Sequence, residues 1–365
     1  MGNRFKFLGE QLSITNEFVF KIVKIVISIL IALGITFIVL ALVSDHPLQN
    51  FVTILTAPVK KLRYFGNVVE MMIPVAFAGL AAALLFKMGV FNLFVEGLYY
   101  ICGIACAAVA IRQIGNGVLH PLLCILAACL LGSVLMGGTG FLKAKYNTNE
   151  VVSTLMLNNI VLGVGLFFLK RTGLQDEEFA AIASKVFEES AKLDVIFGGT
   201  RITISAVLLI LTAVFVYVLM YRTRLGYAIR VTGINSRFAH YSGINVFAMY
   251  MIVHVIAGCI AGLGVSTELL SLYDRFQWTS LPGLGWDGIL MATLADNHPV
   301  GILIASFGIA YLKKGAEVVS LTTNVPVEII SIVQAILVLL VSSQRFLVRF
   351  REKKLLKEGM KHELG

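Results

Sequence analysis

A few polar side chains stand inside long apolar runs of this sequence, and these are the residues best placed to meet a polar solute. Glu96 lies within the run 94–111, and an ionisable group in such a run is costly unless it faces a cavity or a partner. Asn158 and Asn159 lie within the run 151–169, and a buried amide must be hydrogen-bonded. Two interpretations stay open for these residues: contact with a solute that crosses a membrane, or hydrogen bonding between helices.

A second group lies in the basic segment 221–245, which contains four arginines and no acidic residue. Ser236 suits the N-cap of a short helix, and Gly243 suits its end. Phe238 and Tyr241, three residues apart, then share one face. We expect a short amphipathic helix on which another protein docks; the alternative is an ordinary basic loop that only sets membrane topology.

Residues with the spacing of a catalytic or metal site are missing from the sequence. A P-loop needs Gly-Lys followed by Ser or Thr, and the sequence contains no Gly-Lys dipeptide. The five cysteines all lie in apolar runs, where cysteine usually packs as a small hydrophobe. We therefore expect a non-catalytic chain without a cofactor or metal of its own.

The composition points to a membrane protein. Of 365 residues, 58% are hydrophobic and only 14% are charged, whereas ordinary soluble domains are roughly half apolar and about a quarter charged. The net charge of +9 is typical of basic loops held on the cytoplasmic side, so we do not expect a nucleic-acid partner.

The apolar runs predict an all-α polytopic membrane protein with about ten transmembrane helices, because lipid forces the backbone to bond internally. The run 286–294 is too short to span alone and is expected to form a tight pair or a re-entrant feature with the next run. The predicted domains are a cytoplasmic segment 1–24, a single transmembrane domain 25–345 and a basic tail 346–365. The ten runs are 25–43, 68–86, 94–111, 118–136, 151–169, 202–220, 246–265, 286–294, 300–312 and 325–341.

Loop charges predict the orientation. The segments 137–150 and 221–245 and the tail carry an excess of Lys and Arg and are placed in the cytoplasm, together with both termini. The segment 170–201, with six acids and five bases, is placed outside, with a short helix that begins near Asp176. The outward position that this assignment gives to the basic cluster Lys60, Lys61 and Arg63 has no explanation in the sequence.

Four segments resemble, in order, the permeases of binding-protein-dependent ABC importers, and the likeness is strongest to the nucleoside branch of that family. The segment 233–245 resembles the cytoplasmic coupling loop. Segments 89–97, with Phe-Asn before Glu96 and Gly97, and 149–159, with Asn-Glu-Val, resemble signatures of the nucleoside branch. The segment 283–301 resembles a Gly-rich turn with Asp-Gly-Ile.

The resemblance implies a type II-like importer permease in a prokaryotic plasma membrane, forming half of the translocation pathway for nucleosides. It implies three partners: a second permease, an ATPase subunit with two nucleotide-binding domains that binds ATP and Mg²⁺, and an external solute-binding protein. The residues expected to couple to the ATPase are Arg230, Asn235, Arg237, Phe238, His240 and Tyr241. The residues expected along the solute path are Asn92, Glu96, Asn158, Asn159 and Asp287.

Three alternatives stay open at the level of the sequence. The solute can be a sugar of the ribose or galactose type rather than a nucleoside. The chain can be a secondary transporter or channel that uses His or carboxylate relays and needs no ATPase. A membrane-embedded enzyme is disfavoured by the missing nucleophile or metal set.

Overall fold

The computed structural model describes residues 46–114 and 117–322, together with Gly34, Phe37, Ile38 and Ala41. The ordered secondary structure of this part is helical, apart from a single 3-10 turn and two isolated β-bridges. Its helices are α1 (Pro47–Lys60), α2 (Leu62–Lys87), α3 (Val95–Ala110), α4 (Leu119–Tyr146), α5 (Glu150–Arg171), α6 (Ser205–Arg222), α7 (Arg224–Ile234), α8 (Ser236–Tyr241), α9 (Val246–Leu272), α10 (Leu284–Leu294) and α11 (Pro299–Thr322).

Five of these helices, α2, α4, α5, α6 and α9, are long and apolar enough to cross a membrane. Two more, α3 and α10, are apolar but shorter. The predicted class, an all-helical multi-pass membrane protein, is therefore confirmed. The terminal segments 1–24 and 346–365, the last run 325–341 and nearly all of the first run 25–43 lie outside the described residues.

The sequence located the helices more accurately than their ends. Helix α4 continues to Tyr146, past the predicted end at 136, and α11 continues to Thr322, past 312. The helix expected near Asp176 is wrong: there the chain is irregular, with a bridge between Gln175 and Ser184, and the only helical turn is the 3-10 turn Glu189–Ala191. Helix α1 was not predicted.

The chain divides into two compact units, one of residues 59–311 and one of residues 1–58 with 312–365. In the described part of the second unit, Ile54 packs with Ala316 and Val319. Gly315 lies directly against the backbone of Ile54, where a Cβ would overlap. The functional features below all belong to the unit 59–311.

Helices α4 and α9 pack with their backbones almost in contact. A Cβ on Gly132 would overlap the carbonyl oxygen of Gly258, and a Cβ on Gly262 would overlap the backbone of Ala128. Small residues allow such close approach in membranes, where van der Waals packing drives helix association. Helices α2 and α3, both deeply buried, pack against this α4–α9 pair.

The unit has two ends, which its contacts define. At the first, the α7 end, Gly233 lies against Gly89 and Lys143 pairs with Glu150 at 2.7 Å. At the other, the loop end, the amide of Glu188 donates to the carbonyl of Ala110 at 2.9 Å.

The segment 172–204 is fixed to the loop end by backbone hydrogen bonds and ion pairs. The amide of Leu193 donates to Leu270 at 3.0 Å, and Lys192 contacts Asp274 at 2.8 Å. The hydrogen bond from Lys192 holds the pKa of the Asp274 carboxyl below its usual value. Arg275 pairs with Asp176 at 3.1 Å.

The α4–α9 contact leads to a stability prediction. Gly132→Val should destabilise the protein by about 1–3 kcal/mol, because the added atoms meet the backbone of α9. Gly138→Val is the matched control, since the space beside Gly138 of the same helix is open. Thermal unfolding of the detergent-purified protein measures both; equal melting temperatures for the two variants would contradict the close packing.

Candidate functional site

The α7 end of the bundle contains a non-helical break between α2 and α3. The chain leaves α2 through Gly89, whose φ of +77° requires glycine. Asn92 then stabilises the break: its Oδ1 accepts from the amide of Phe94 at 2.8 Å, and its Nδ2 donates to Thr139 Oγ1 at 3.1 Å. Asn92 is fully buried and holds the backbone of the break.

Asn158 of α5 also forms hydrogen bonds with the backbone of the segment between α2 and α3 and the start of α3. Its Oδ1 accepts from the amide of Gly97 at 2.9 Å, and its Nδ2 donates to the carbonyl of Leu93 at 3.1 Å. The neighbouring Asn159 is exposed and donates to the carbonyl of Leu155 in its own helix, at 3.2 Å. The two adjacent asparagines therefore have different surroundings.

Glu96, at the start of α3, binds the N-terminus of the half-helix α10. Its Oε1 accepts from the amide of Gly283 at 2.6 Å and its Oε2 from the amide of Trp286 at 3.2 Å. The side chain is 0% exposed. The first amides of a helix lack intrahelical partners and carry partial positive charge, so a carboxylate is the group that they bind best.

Two glycines allow this contact. Gly283 has φ of +82°, which turns the chain into α10. Gly285 lies against the backbone of Glu96, where a Cβ would overlap. One turn further on, Gly288 packs in the same way against Gly79 of α2, so α10 is held tightly between α2 and α3.

The other end of α10 is a tight turn into α11. Asp296 and Asn297 have φ of +51° and +58°, and Pro299 begins α11. The two helices predicted from these short runs are therefore present and joined by a tight turn; a re-entrant arrangement of the pair stays a prediction. On α10 itself, Trp286 is 38% exposed and Asp287 is partly exposed.

The predicted docking helix is present as α8. Its N-cap is Asn235, one residue before the predicted Ser236, and the Asn235 Oδ1 accepts from the amide of Phe238 at 3.0 Å. Ala239 is its buried contact. Gly243, with φ of +80°, ends the turn as predicted.

Helix α8 presents aromatic side chains outward. Tyr241 is 88% and Phe238 59% exposed, and Ile234 before the helix is 87% exposed. Arg237 and His240 are also exposed. An exposed apolar surface of this kind is typical of a site that contacts another protein or a membrane.

Arg230 of α7 is placed differently from the rest of the predicted coupling set. It is only partly exposed, and its guanidinium lies over the ring of Tyr221, 5.5 Å from the centroid. Tyr221 in turn contacts His298, with ring centroids 5.5 Å apart. Neither Tyr221 nor His298 was singled out from the sequence, because nothing local marks this contact.

Two histidines and a cysteine of the predicted spans make hydrogen bonds within the unit. His120 bonds Ser190 Oγ at 2.8 Å, and His254 bonds the carbonyl of Tyr250 at 2.7 Å, so both are hydrogen-bonded as predicted. Cys129 donates to the carbonyl of Cys259 at 3.3 Å. Among the described residues, no three His, Cys, Asp or Glu side chains are grouped to hold a metal ion.

The long apolar helices, with the shorter apolar α3 and α10 packed among them, define the class of a polytopic membrane protein. Residues 64–342 match the family model described as the branched-chain amino acid transport system / permease component, and the chain belongs to this family of ABC transporter permeases. The family resemblance seen in the sequence is thereby confirmed.

Three curated relatives match over most of the chain. The guanosine ABC transporter permease NupP of Bacillus subtilis is 30% identical over 82% of this chain and 86% of its own. The glucose ABC transporter permease TsgB13 of Haloferax volcanii is 28% identical over 89% of this chain and 88% of its own. The nucleoside ABC transporter permease NupB of Lactococcus lactis is 25% identical over 81% of this chain and 84% of its own.

The Glu96 contact leads to a prediction about the stability of the protein. Glu96→Gln should lower the free energy of unfolding by about 1.5–3 kcal/mol, because the amide offers one acceptor instead of two and no charge. Glu178→Gln, on an exposed acid of the loop end, should have no effect. Thermal unfolding tests this; a normal melting temperature with weakened solute binding would instead mean that Glu96 contacts solute directly.

Proposed function

We propose that this chain is the permease of an ATP-driven importer for nucleosides and forms half of the translocation pathway. Two of its relatives are named for nucleoside or guanosine transport, and the motifs around Glu96 and Asn149 resemble the nucleoside branch. A sugar is the second candidate solute, favoured by the similarity to a glucose permease over 336 residues.

The exposed helix α8 is the observation that carries this proposal. Its outward aromatics form a small apolar surface beside the basic residues of α7 and Arg237, where a separate ATPase subunit docks. ATP and Mg²⁺ belong to the two nucleotide-binding domains of that subunit. Changes in the ATPase act on the permease through this surface, because a ligand drives a conformational change only by its differential affinity for the two states.

The charges at the two ends orient the bundle. The α7 end carries Arg222, Arg224, Arg230 and Arg237 without an acid in 221–245, so it faces the cytoplasm of a prokaryotic cell. The loop end, with its mixed charges, receives the external solute-binding protein. Ten spans with both termini in the cytoplasm complete the proposed topology.

The solute path runs along α5 and α10. Helix α5 is the least buried of the five long spans, and it presents Asn159 on its uncovered face. Trp286 and the partly exposed Asp287 of α10 supply an aromatic surface and an acceptor. A second permease, proposed to be a paralogue, closes the path from the opposite side.

Docking is tested by introducing charge on α8. Phe238→Asp and Tyr241→Asp should each abolish co-purification of the ATPase and reduce uptake at least about tenfold, because a charge in the centre of an apolar contact leaves an unpaired, desolvated group. Membrane insertion should stay normal, since both side chains face outward. Immunoblots of membranes and pull-down of the tagged chain measure the two effects.

Tyr146→Asp is the control for docking, because Tyr146 is an exposed tyrosine, 61% accessible, at the same end of the bundle. Normal ATPase recovery with the α8 variants would refute the docking role. Uptake that is abolished by ionophores but not by ATP depletion would favour a secondary transporter.

The solute path is tested by the adjacent asparagines. Asn159→Ala should reduce guanosine uptake about tenfold without a change in melting temperature, since a lost hydrogen bond to a polar solute costs about 1–1.5 kcal/mol. Asn158→Ala should lower the melting temperature, because it leaves buried backbone groups of Gly97 and Leu93 unpaired. Radiolabelled guanosine and glucose distinguish the two solute classes; if neither variant alters uptake, the path lies elsewhere.

A further inference from the structure

Arg230 acts toward the interior of the bundle rather than toward a docking partner. One of its guanidinium nitrogens, Nη1, is buried and makes no hydrogen bond. Its guanidinium lies over the face of Tyr221, 5.5 Å from the ring centroid, a favourable geometry for a cation over an aromatic ring. A residue that only attracts the ATPase subunit would be expected to keep its charge in solvent.

The contact continues from Tyr221 to the turn between α10 and α11. The Tyr221 and His298 rings lie 5.5 Å apart. Tyr217, one turn earlier on α6, supports both rings, with centroids 5.3 Å from Tyr221 and 5.9 Å from His298. Arg230 on α7 is thus connected to the start of α11 through packed aromatic rings.

The turn that carries His298 is hydrogen-bonded to the C-terminal end of α10. Asp296 and Asn297 both have left-handed φ, a conformation that Asp and Asn adopt more readily than other non-glycine residues. The amides of Asn297 and His298 donate to Ala292 at 2.8 Å and Ala295 at 3.0 Å. A displacement of the His298 ring is therefore passed to the C-terminus of α10.

The N-terminus of α10 is also reached from α7. Gly233, near the end of α7, lies against the backbone of Lys87 and Met88, where a Cβ would overlap. From there the break between α2 and α3 leads directly to Glu96, whose carboxylate binds Gly283 and Trp286. Helix α7 is therefore connected to both ends of α10.

We propose that Tyr221 and His298 are positioning residues for transport, and that they form with Arg230 an aromatic link through which α7 moves α10 when the ATPase closes. This inference rests on the proposed function, because it requires a motor docked beside α7 on α8. It assigns the predicted coupling residues to two tasks: Phe238 and Tyr241 hold the motor, and Arg230 transmits its motion. Neither task needs Tyr221 or His298 to touch the solute.

The test separates transmission from docking and from folding. The tagged chain, purified from its native membrane with its partners, is reconstituted into liposomes, and guanosine uptake is measured per ATP hydrolysed. Tyr221→Leu and His298→Leu should each lower this ratio about tenfold, within the 5–150-fold range of typical coupling between sites. Recovery of the ATPase and its basal activity should be unchanged.

Two further comparisons show whether the residues act as one link. The variant with both substitutions should be no worse than either alone, because one broken contact already interrupts the chain. Tyr221→Phe, His298→Phe and Arg230→Lys should keep most of the ratio, since they preserve rings and charge. Phe215→Leu is the control on α6, where Phe215 is 51% exposed.

The outcomes distinguish this inference from the proposed function. An unchanged ratio of uptake to hydrolysis in Tyr221→Leu and His298→Leu would overturn the aromatic link, as would loss of the ATPase from Arg230→Gln. Arg222→Gln, an exposed arginine of the same end, controls for the loss of one charge. If the unsubstituted chain recovers no ATPase at all, the proposed function itself is wrong.

Discussion

The structure depends on one buried charge, the carboxylate of Glu96 at the N-terminus of α10. An isolated carboxylate in an apolar bundle is very costly, and here two backbone amides of α10 satisfy it. The same contact satisfies amides of a helix that is too short to span a membrane and would otherwise end in apolar surroundings without partners. The Glu96 carboxylate and the N-terminus of α10 therefore stabilise each other.

Pairs of glycines allow the helices of this bundle to pack with their backbones in close contact. Gly79 with Gly288, Gly132 with Gly258 and Gly233 with Gly89 each bring two backbones together without side chains between them. In a bundle packed this closely, a helix cannot shift without moving its neighbour. Because Gly285 and Gly288 of α10 lie against the backbones of α3 and α2, a movement of either helix displaces α10 together with its partly exposed Trp286 and Asp287.

The sequence predicted those features that depend on local patterns. Apolar runs marked the spans, and an N-cap followed by an aromatic pair and a glycine marked α8. It could not reveal contacts between distant segments: Asn158 bonds groups 61 and 65 residues away, and nothing near Asn158 shows whether it or Asn159 is buried. The short helix expected near Asp176 is absent. The segment 172–204 is irregular there because its backbone bonds to the ends of other helices, as Glu188 does to Ala110, and local spacing does not reveal such contacts.

The most direct test of this account is amide hydrogen exchange over residues 283–294 in the purified transporter, compared between the natural chain and Glu96→Gln. If the Glu96 carboxylate holds the N-terminus of α10, exchange in this peptide should be slow in the natural chain and faster by at least about tenfold in the variant, the change expected from about 1.4 kcal/mol of lost protection. Exchange in the α4–α9 contact should stay the same. Equal protection of 283–294 in the two proteins would contradict the account.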